Sequence, residues 1–358
     1  MFWPDTITKK FNIQYPLIQA PMFGVSTPQM AAAAARAGCL GSLAIADLSA
    51  DQSVEQIRAT RKLTDQPFAV NIFVHNIPEI TDVLREKYGK AKLFITHLAK
   101  ENDLQVNLPD LEDIKVKTYH EQVDVIIAEG CKILSFTFGN LDDQSIQKLK
   151  ENGVTLIGTC TSVKEAVTLE KSGIDIICVQ GIEAGGHRGT FDAENIPMIG
   201  GMTLLSEVYD HAKVPLIYAG GIYNGKTLRA AKELGAQGFQ VGSILLASLE
   251  SGLKPFEKQR LKKAAEEDIV LTKSFSGRYA RGIQNKFIEN MEASDYILPY
   301  PYQNKLTNEL RKVAKALENT DFVSIWAGQS IHPYSDVSTE DILKNLIGEA
   351  EGNSLKLF

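Results

Sequence analysis

The residues best equipped for chemistry stand in one run, Gln180-Gly181-Ile182-Glu183-Ala184-Gly185-Gly186-His187-Arg188-Gly189, where an apolar stretch opens into a glycine-rich loop carrying one histidine. Histidine titrates nearest neutral pH, so His187 is a candidate base or polar contact for a reacting group. Gly185, Gly186 and Gly189 permit positive φ and close backbone approach, which lets the loop wrap a ligand and hold the imidazole against it. A loop histidine can also do no more than bond a backbone carbonyl. The flanking glycines and Arg188 favour the functional reading.

A second constellation follows at Ala219-Gly220-Gly221-Ile222 and Gln240-Val241-Gly242-Ser243, two glycine turns separated by a single helical pattern. On neighbouring strand ends such turns offer bare N–H groups to a phosphate. With neither a lysine-containing P-loop nor an early G-x-G-x-x-G, the phosphate points to a mononucleotide such as FMN. Its ring then lies over the middle of the strand ends. Ala20-Pro21-Met22 offers backbone and apolar contact there, and the amides of Asn71 and Gln180 can both donate and accept. Asn71 is the polar exception in the apolar run 68–74. It either caps a neighbour's backbone or faces the ligand.

The elements that must position these groups alternate regularly. Strand patterns at 15–22, 40–44, 68–74, 132–138, 154–160, 175–180, 214–219 and 238–243 are separated by helical patterns, among them one opened by Thr27-Pro28 and stopped by Gly38. Strand–helix alternation with right-handed crossovers implies a parallel sheet, and a TIM (β/α)8 barrel follows from the count; an open doubly wound sheet is the alternative. The rhythm lapses at about 75–118, read as an insertion after the third strand with helices around 80–88 and 90–100. The expected organisation is a barrel over 1–249 and a helical, loop-rich C-terminal extension or lid over 250–358, with helices at 256–268, 304–317 and 339–346.

Bulk properties narrow the class. The 358 residues carry a formal net charge of −6, which argues against a nucleic-acid surface. Cys39, Cys131, Cys160 and Cys178 form no Cys-x-x-Cys pair, so they read as buried thiols in a reducing compartment, and no metal is expected. No secretory signal or membrane-length apolar run is visible, and a cytoplasmic protein, monomer or homodimer, is expected. His75, His97, His120, His211 and His332 have no such context and read as surface or loop residues.

Taken together, Gln19-Ala20-Pro21-Met22, the Asn71 strand, Thr161-Ser162-Val163-Lys164-Glu165-Ala166, the Gln180–Gly189 loop, the two glycine turns, Phe275-Ser276-Gly277-Arg278, Ala280-Arg281-Gly282-Ile283 and Trp326-Ala327-Gly328-Gln329-Ser330 resemble the nitronate monooxygenase family, formerly 2-nitropropane dioxygenases, in the first of its two classes. The resemblance covers nearly the whole chain. It implies non-covalent FMN and oxidation of small alkyl nitronates, propionate 3-nitronate among them, by O2 to a carbonyl compound and nitrite. It also makes His187 the catalytic residue, as a base toward neutral nitroalkanes or as a polar contact. The cofactor residues it implies are Ala20, Pro21, Met22, Asn71, Gln180, Gly185, Gly186, Gly220, Gly221, Gln240, Val241, Gly242 and Ser243, with Ser243 standing where the family often has Thr. Arg188 reads either as a contact to the nitro group or as an ion-pair partner of a carboxylate. Tyr300 and Tyr302 are candidates for an aromatic pocket, and Lys305 has no assigned role.

Two other readings compete. Flavin-dependent enoyl-acyl-carrier-protein reductases share Glu-Ala-Gly-Gly-His but usually follow it with an apolar residue and Gly-Lys, where this chain has Arg188-Gly189-Thr190-Phe191. A non-catalytic flavin-binding protein is the third, and it leaves His187 without a purpose.

Overall fold

The computed structural model describes residues 3–330 and 334–353. Its strands are β1 (Leu17–Gln19), β2 (Gly41–Ala44), β3 (Phe68–Phe73), β4 (Ile133–Thr137), β5 (Thr155–Cys160), β6 (Ile176–Gln180), β7 (Gly186–His187), β8 (Leu216–Ala219), β9 (Gly238–Val241), β10 (Ile269–Thr272) and β11 (Ala280–Ile283). The helices are α1 (Thr6–Phe11), α2 (Pro28–Arg36), α3 (Ala50–Arg61), α4 (Asp82–Lys100), α5 (His120–Ala128), α6 (Asp143–Glu151), α7 (Val163–Lys171), α8 (Gly201–His211), α9 (Gly225–Glu233), α10 (Pro255–Lys262), α11 (Lys286–Glu292), α12 (Tyr302–Ala316) and α13 (Thr339–Glu351). Eight parallel strands follow the order β1-β9-β8-β6-β5-β4-β3-β2. A parallel bridge between Ile18 and Leu40 joins the two edges, so the sheet closes into the expected (β/α)8 barrel.

The two-residue period of the strands splits the barrel interior into two storeys. The lower storey is apolar: Ile18, Leu40, Ala69, Ile133, Ile157, Ile176 and Ile217 pack with Ile7 and Phe11 of α1. That helix, which the sequence pattern did not suggest, plugs the barrel floor. Two or four residues further along, Asn71, Thr137, Thr159 and Gln180, together with Gln240 of β9, line a cavity at the mouth. Alternate residues such as Val70, Leu134, Leu156, Ile177 and Val241 join the outer core. All four cysteines are buried and unpaired.

Local chemistry sets the element ends. Thr27 accepts the Met30 N–H at the start of α2, with Pro28 in the first turn. The first strand is shorter than expected because Pro16 and Pro21, which flank it, have no N–H for the ladder. The two helices expected between 80 and 100 are one: Leu84, Tyr88, Ala91, Ile95 and Leu98 make a continuous buried stripe across Gly89. The burial outweighs the roughly 1 kcal/mol helix penalty of a glycine. The helix expected over 256–268 stops at Lys262, and Glu266–Asp268 forms a separate 3-10 turn.

The segment after β9 returns to the mouth. β10 and β11 pair antiparallel, and β11 pairs with β7, setting Ala280 opposite His187 and Arg281 opposite Gly186. α12 packs on α4, and Tyr302 Oη donates to the Pro78 carbonyl at 2.7 Å. α13 packs against both α9 and α2, so the last helix among the described residues completes the ring around the barrel. No helix among the described residues is long and apolar enough to cross a membrane.

Candidate active site

A cavity of about 450 Å³ occupies the barrel mouth. Ala20, Pro21, Met22, Asn71, Gln180, Gly185, Gly186, His187, Gly220, Gly221, Gln240, Gly242 and Ser243 all line it. Val241 does not. The strand alternation turns its side chain into the outer core, and only its carbonyl serves the mouth, accepting the Ala20 N–H at 2.8 Å.

The glycine turns after β8 and β9 carry the anion-binding signature. Gly220 and Gly221 have φ of 126° and 65°, conformations that only glycine adopts at little cost. The N–H groups of Gly221, Ile222 and Gly242 donate to no described residue, although Gly221, Ile222 and Gly242 all border the cavity. Amides that face a cavity without a protein acceptor are open to a ligand, and a phosphate would satisfy them. The start of α9 is closed to such a ligand, since Asn224 accepts from Lys226 and Thr227, and Glu349 accepts the Gly225 N–H. Ser243 Oγ accepts the Gly328 N–H at 2.9 Å, which leaves its own proton to donate.

The polar residues of the upper storey are partly committed to the frame. Gln180 clamps the loop, donating to the His187 carbonyl at 3.1 Å and accepting the Gly189 N–H at 2.8 Å. Asn71 donates to Ser135 Oγ at 2.9 Å, and its carbonyl is left for the cavity. Buried Glu165 ties the loop from below. One carboxylate oxygen accepts from the N–H and Oγ1 of Thr161, and the other from Thr190 Oγ1 and the Phe191 N–H.

His187 is held mainly by the segment after β9. Its Nε2 meets Ser276 Oγ at 2.8 Å, and its ring sits 5.4 Å from Trp326, 5.6 Å from Phe138 and 6.4 Å from Phe73, between centroids. Loss of solvent among these rings, helped by the positive charges of Arg278 and Arg311, brings its pKa down to about 3. The imidazole is therefore neutral across the physiological range. Ser276 Oγ also contacts the Arg278 carbonyl at 3.0 Å, so its single proton has two alternative acceptors. Directed to Nε2, it leaves Nδ1–H as a donor; directed to the carbonyl, it lets Nε2–H donate to Ser276 and leaves Nδ1 as an acceptor.

Phe138, beside the imidazole, has φ of 79°, a costly conformation for a bulky residue and one concentrated at functional sites. Arg278 lies 4.3 Å over its ring and donates to the Thr190 carbonyl.

Other candidates fall elsewhere. Arg188 does not border the cavity and pairs with no carboxylate among the described residues: its Nη1 and Nη2 donate to the carbonyls of Gly181 and Gln180 at 2.8 and 3.0 Å, bracing the loop from behind. Tyr300 borders the cavity, whereas Lys305 is engaged with Asp47 at 2.7 Å. His97, His120 and His211 are exposed, and His332 lies outside the described residues. His75 lies in the loop after β3, as expected, but its ring is turned inward. Both its ring nitrogens are buried without a hydrogen-bond partner among the described residues, Tyr300 stands edge-on at 4.6 Å, and burial lowers its pKa to about 4. Ser276, Trp326, Phe73 and Arg311 escaped the reading from residue types, because what marks them is a position created by folding.

A barrel mouth with two amide-lined turns and a desolvated histidine defines a (β/α)8 enzyme architecture. The nitronate monooxygenase family model matches residues 5–349, and the chain belongs to that family. A probable nitronate monooxygenase of Staphylococcus saprophyticus is 37% identical, covering 96% of this chain and 97% of the relative. One of Bacillus subtilis is 39% identical over 95% and 97%. The crystal structure of a nitroalkane oxidase from Streptomyces ansochromogenes superposes with a TM-score of 0.86 at 31% identity, covering 97% of this chain and 98% of that one.

Proposed function

We propose that the protein is an FMN-dependent enzyme oxidising small alkyl nitronates with O2 to a carbonyl compound and nitrite. The observation that carries this reading is the placement of a neutral, desolvated His187 in the same cavity as two turns with unused backbone N–H groups. Family membership and the likeness to a nitroalkane oxidase support it.

The residues present fit the flavin. Gly220, Gly221, Gly242 and Ser243 would hold the phosphate, and Asn71, Gln180 and Gln240 would face the ring with Ala20, Pro21 and Met22. FMN supplies the electron-acceptor and oxygen chemistry. The protein binds, orients and shields. Phe73 and Trp326 keep water from the reacting carbon, and His187 acts through Nδ1, the nitrogen that Ser276 does not engage. Toward a nitronate, Nδ1–H donates to an anionic oxygen while Ser276 donates to Nε2. Toward a neutral nitroalkane, Nδ1 must take a carbon-bound proton, and a base whose pKa lies so far below neutrality does this poorly. An anion seated in the cavity raises that pKa, so His187 is better matched to the preformed nitronate.

Protein loaded with FMN should consume O2 and release nitrite with propyl-2-nitronate, and do so at least about tenfold faster than with 2-nitropropane. A colourless protein that binds no FMN and leaves nitronate untouched contradicts the reading. Reduction of a crotonyl thioester by NADH without nitronate turnover would transfer it to the enoyl reductases.

A further inference from the structure

Three cations border the cavity, and one differs from the others. Lys312 pairs with Glu309 at 3.0 Å and Lys315 with Glu257 at 2.8 Å. Arg311 makes no ion pair among the described residues. Its Nε donates weakly to the Thr307 carbonyl at 3.4 Å, and its Nη2 donates to both the carbonyl and Oδ1 of Asn304 at 2.8 Å. These contacts to earlier turns of α12 fix the plane of the guanidinium. Nη1 has no acceptor among the described residues.

A half-buried cation with no ion-pair partner has lost part of its hydration, and that cost is recovered when an anion arrives. Burial already lowers the Arg311 pKa to about 10, which leaves it charged near neutrality. The Asp47 carboxylate, in range to favour that charge, is engaged with Lys305. Tyr300 also borders the cavity, and burial raises its pKa, which keeps its hydroxyl protonated.

We infer that Arg311 is an oxyanion-binding residue of the cavity, donating from Nη1 to an anionic oxygen of the substrate. This rests on the nitronate reading for its substrate but not for its chemistry, because any small planar oxyanion, nitronate or carboxylate, meets the same donor. Two sources of that oxygen fit: the nitronate group itself, or a carboxylate further along the substrate chain. A neutral His187 beside a charged Arg311 divides the work between a hydrogen-bonding group and a charge.

The test uses FMN-loaded wild type with Arg311→Gln and Arg311→Lys, turned over with propyl-2-nitronate and with propionate 3-nitronate. Binding of unreactive propionate and nitrate is followed in parallel by calorimetry. Loss of one charge-assisted hydrogen bond should raise KM about tenfold or more in Arg311→Gln with kcat far less affected, and weaken inert-anion binding to match. Arg311→Lys should fall between, keeping the charge but not the fixed plane. Equal losses on both nitronates place the nitronate group at Arg311; a loss confined to propionate 3-nitronate places the remote carboxylate there. Unchanged KM for both substrates and unchanged anion binding in a folded Arg311→Gln would overturn the inference. If Arg311→Gln does not fold, Arg311→Lys carries the same comparison. Wild type that binds these anions through Arg311 yet oxidises no nitronate would refute the proposed reaction and leave the oxyanion site standing.

Discussion

The two sides of the barrel mouth are built by different means. On the side of β8 and β9 the working groups are backbone amides, exposed by glycines at the ends of adjacent strands and separated by one helix. On the opposite side, His187 depends on partners from beyond residue 270: Ser276 at its Nε2, Ala280 opposite it in the ladder, and Trp326 against its ring. The first side draws its amides from local turns, and the returning segment adds only the Gly328 N–H to Ser243 Oγ and the Ser330 hydroxyl to the Gly221 carbonyl. The second needs the segment after β9 packed back against it. The free amides are therefore set by the barrel's own strand ends, while the surroundings of the imidazole come from long-range contacts.

Glycine substitutions should break this contrast most severely. A Cβ at Gly185 would lie 2.5 Å from the Gly328 nitrogen and 2.6 Å from the Ala327 carbonyl carbon, backbone that cannot yield without parting the loop from the returning segment. Gly185→Ala should cost about 1–3 kcal/mol or more and abolish turnover. At neighbouring Gly186 a Cβ meets nothing within 4 Å and only φ of 72° is at issue, so Gly186→Ala should cost about 1 kcal/mol. Denaturant midpoints of the two variants would separate them, and equal midpoints would remove the claim that the 327–328 contact holds the loop.

On the histidine side, His187→Asn should retain FMN, because the amide-lined turns are untouched, but lose nitronate turnover by roughly 100-fold in kcat/KM. Loss of flavin together with activity would mean that the two sides are not separable.

A smaller effect is expected at His75. Its native pKa of about 4 lies below the ordinary value of 6.5, so the unfolded chain takes up the proton first as pH falls. Stability is complete above about pH 6.5 and is lost as the pH drops toward 4, by at most about 1.4 kcal/mol per pH unit. His75→Phe should flatten the dependence of the urea midpoint between pH 7 and 5. A slope as steep as wild type would mean that His75 is not held neutral.

What was legible in the sequence follows the same division. Glycine turns, the strand rhythm and the capped α2 are local, and they place the barrel and the amide-lined turns. The loop histidine was legible as well, but its surroundings were not. Ser276, Trp326 and Arg311 are ordinary residues in the chain, and only the return of the segment after β9 makes them neighbours of the cavity. Arg188 misled for the same reason: a charge beside a histidine suggests substrate, yet the alternation that continues from β7 turns it onto the carbonyls behind the loop. His75 sits in a connection that lacks strand or helix pattern, and its burial comes from packing beneath Tyr300.

The most direct test of a flavin in this cavity, reduced by a nitronate, is the visible spectrum of FMN-loaded protein under air-free conditions before and after propyl-2-nitronate is added. Loss of the oxidised flavin bands on addition, and their return with air, is the predicted result. Bands that stay unchanged with nitronate, while the same protein bleaches with NADH, would contradict it.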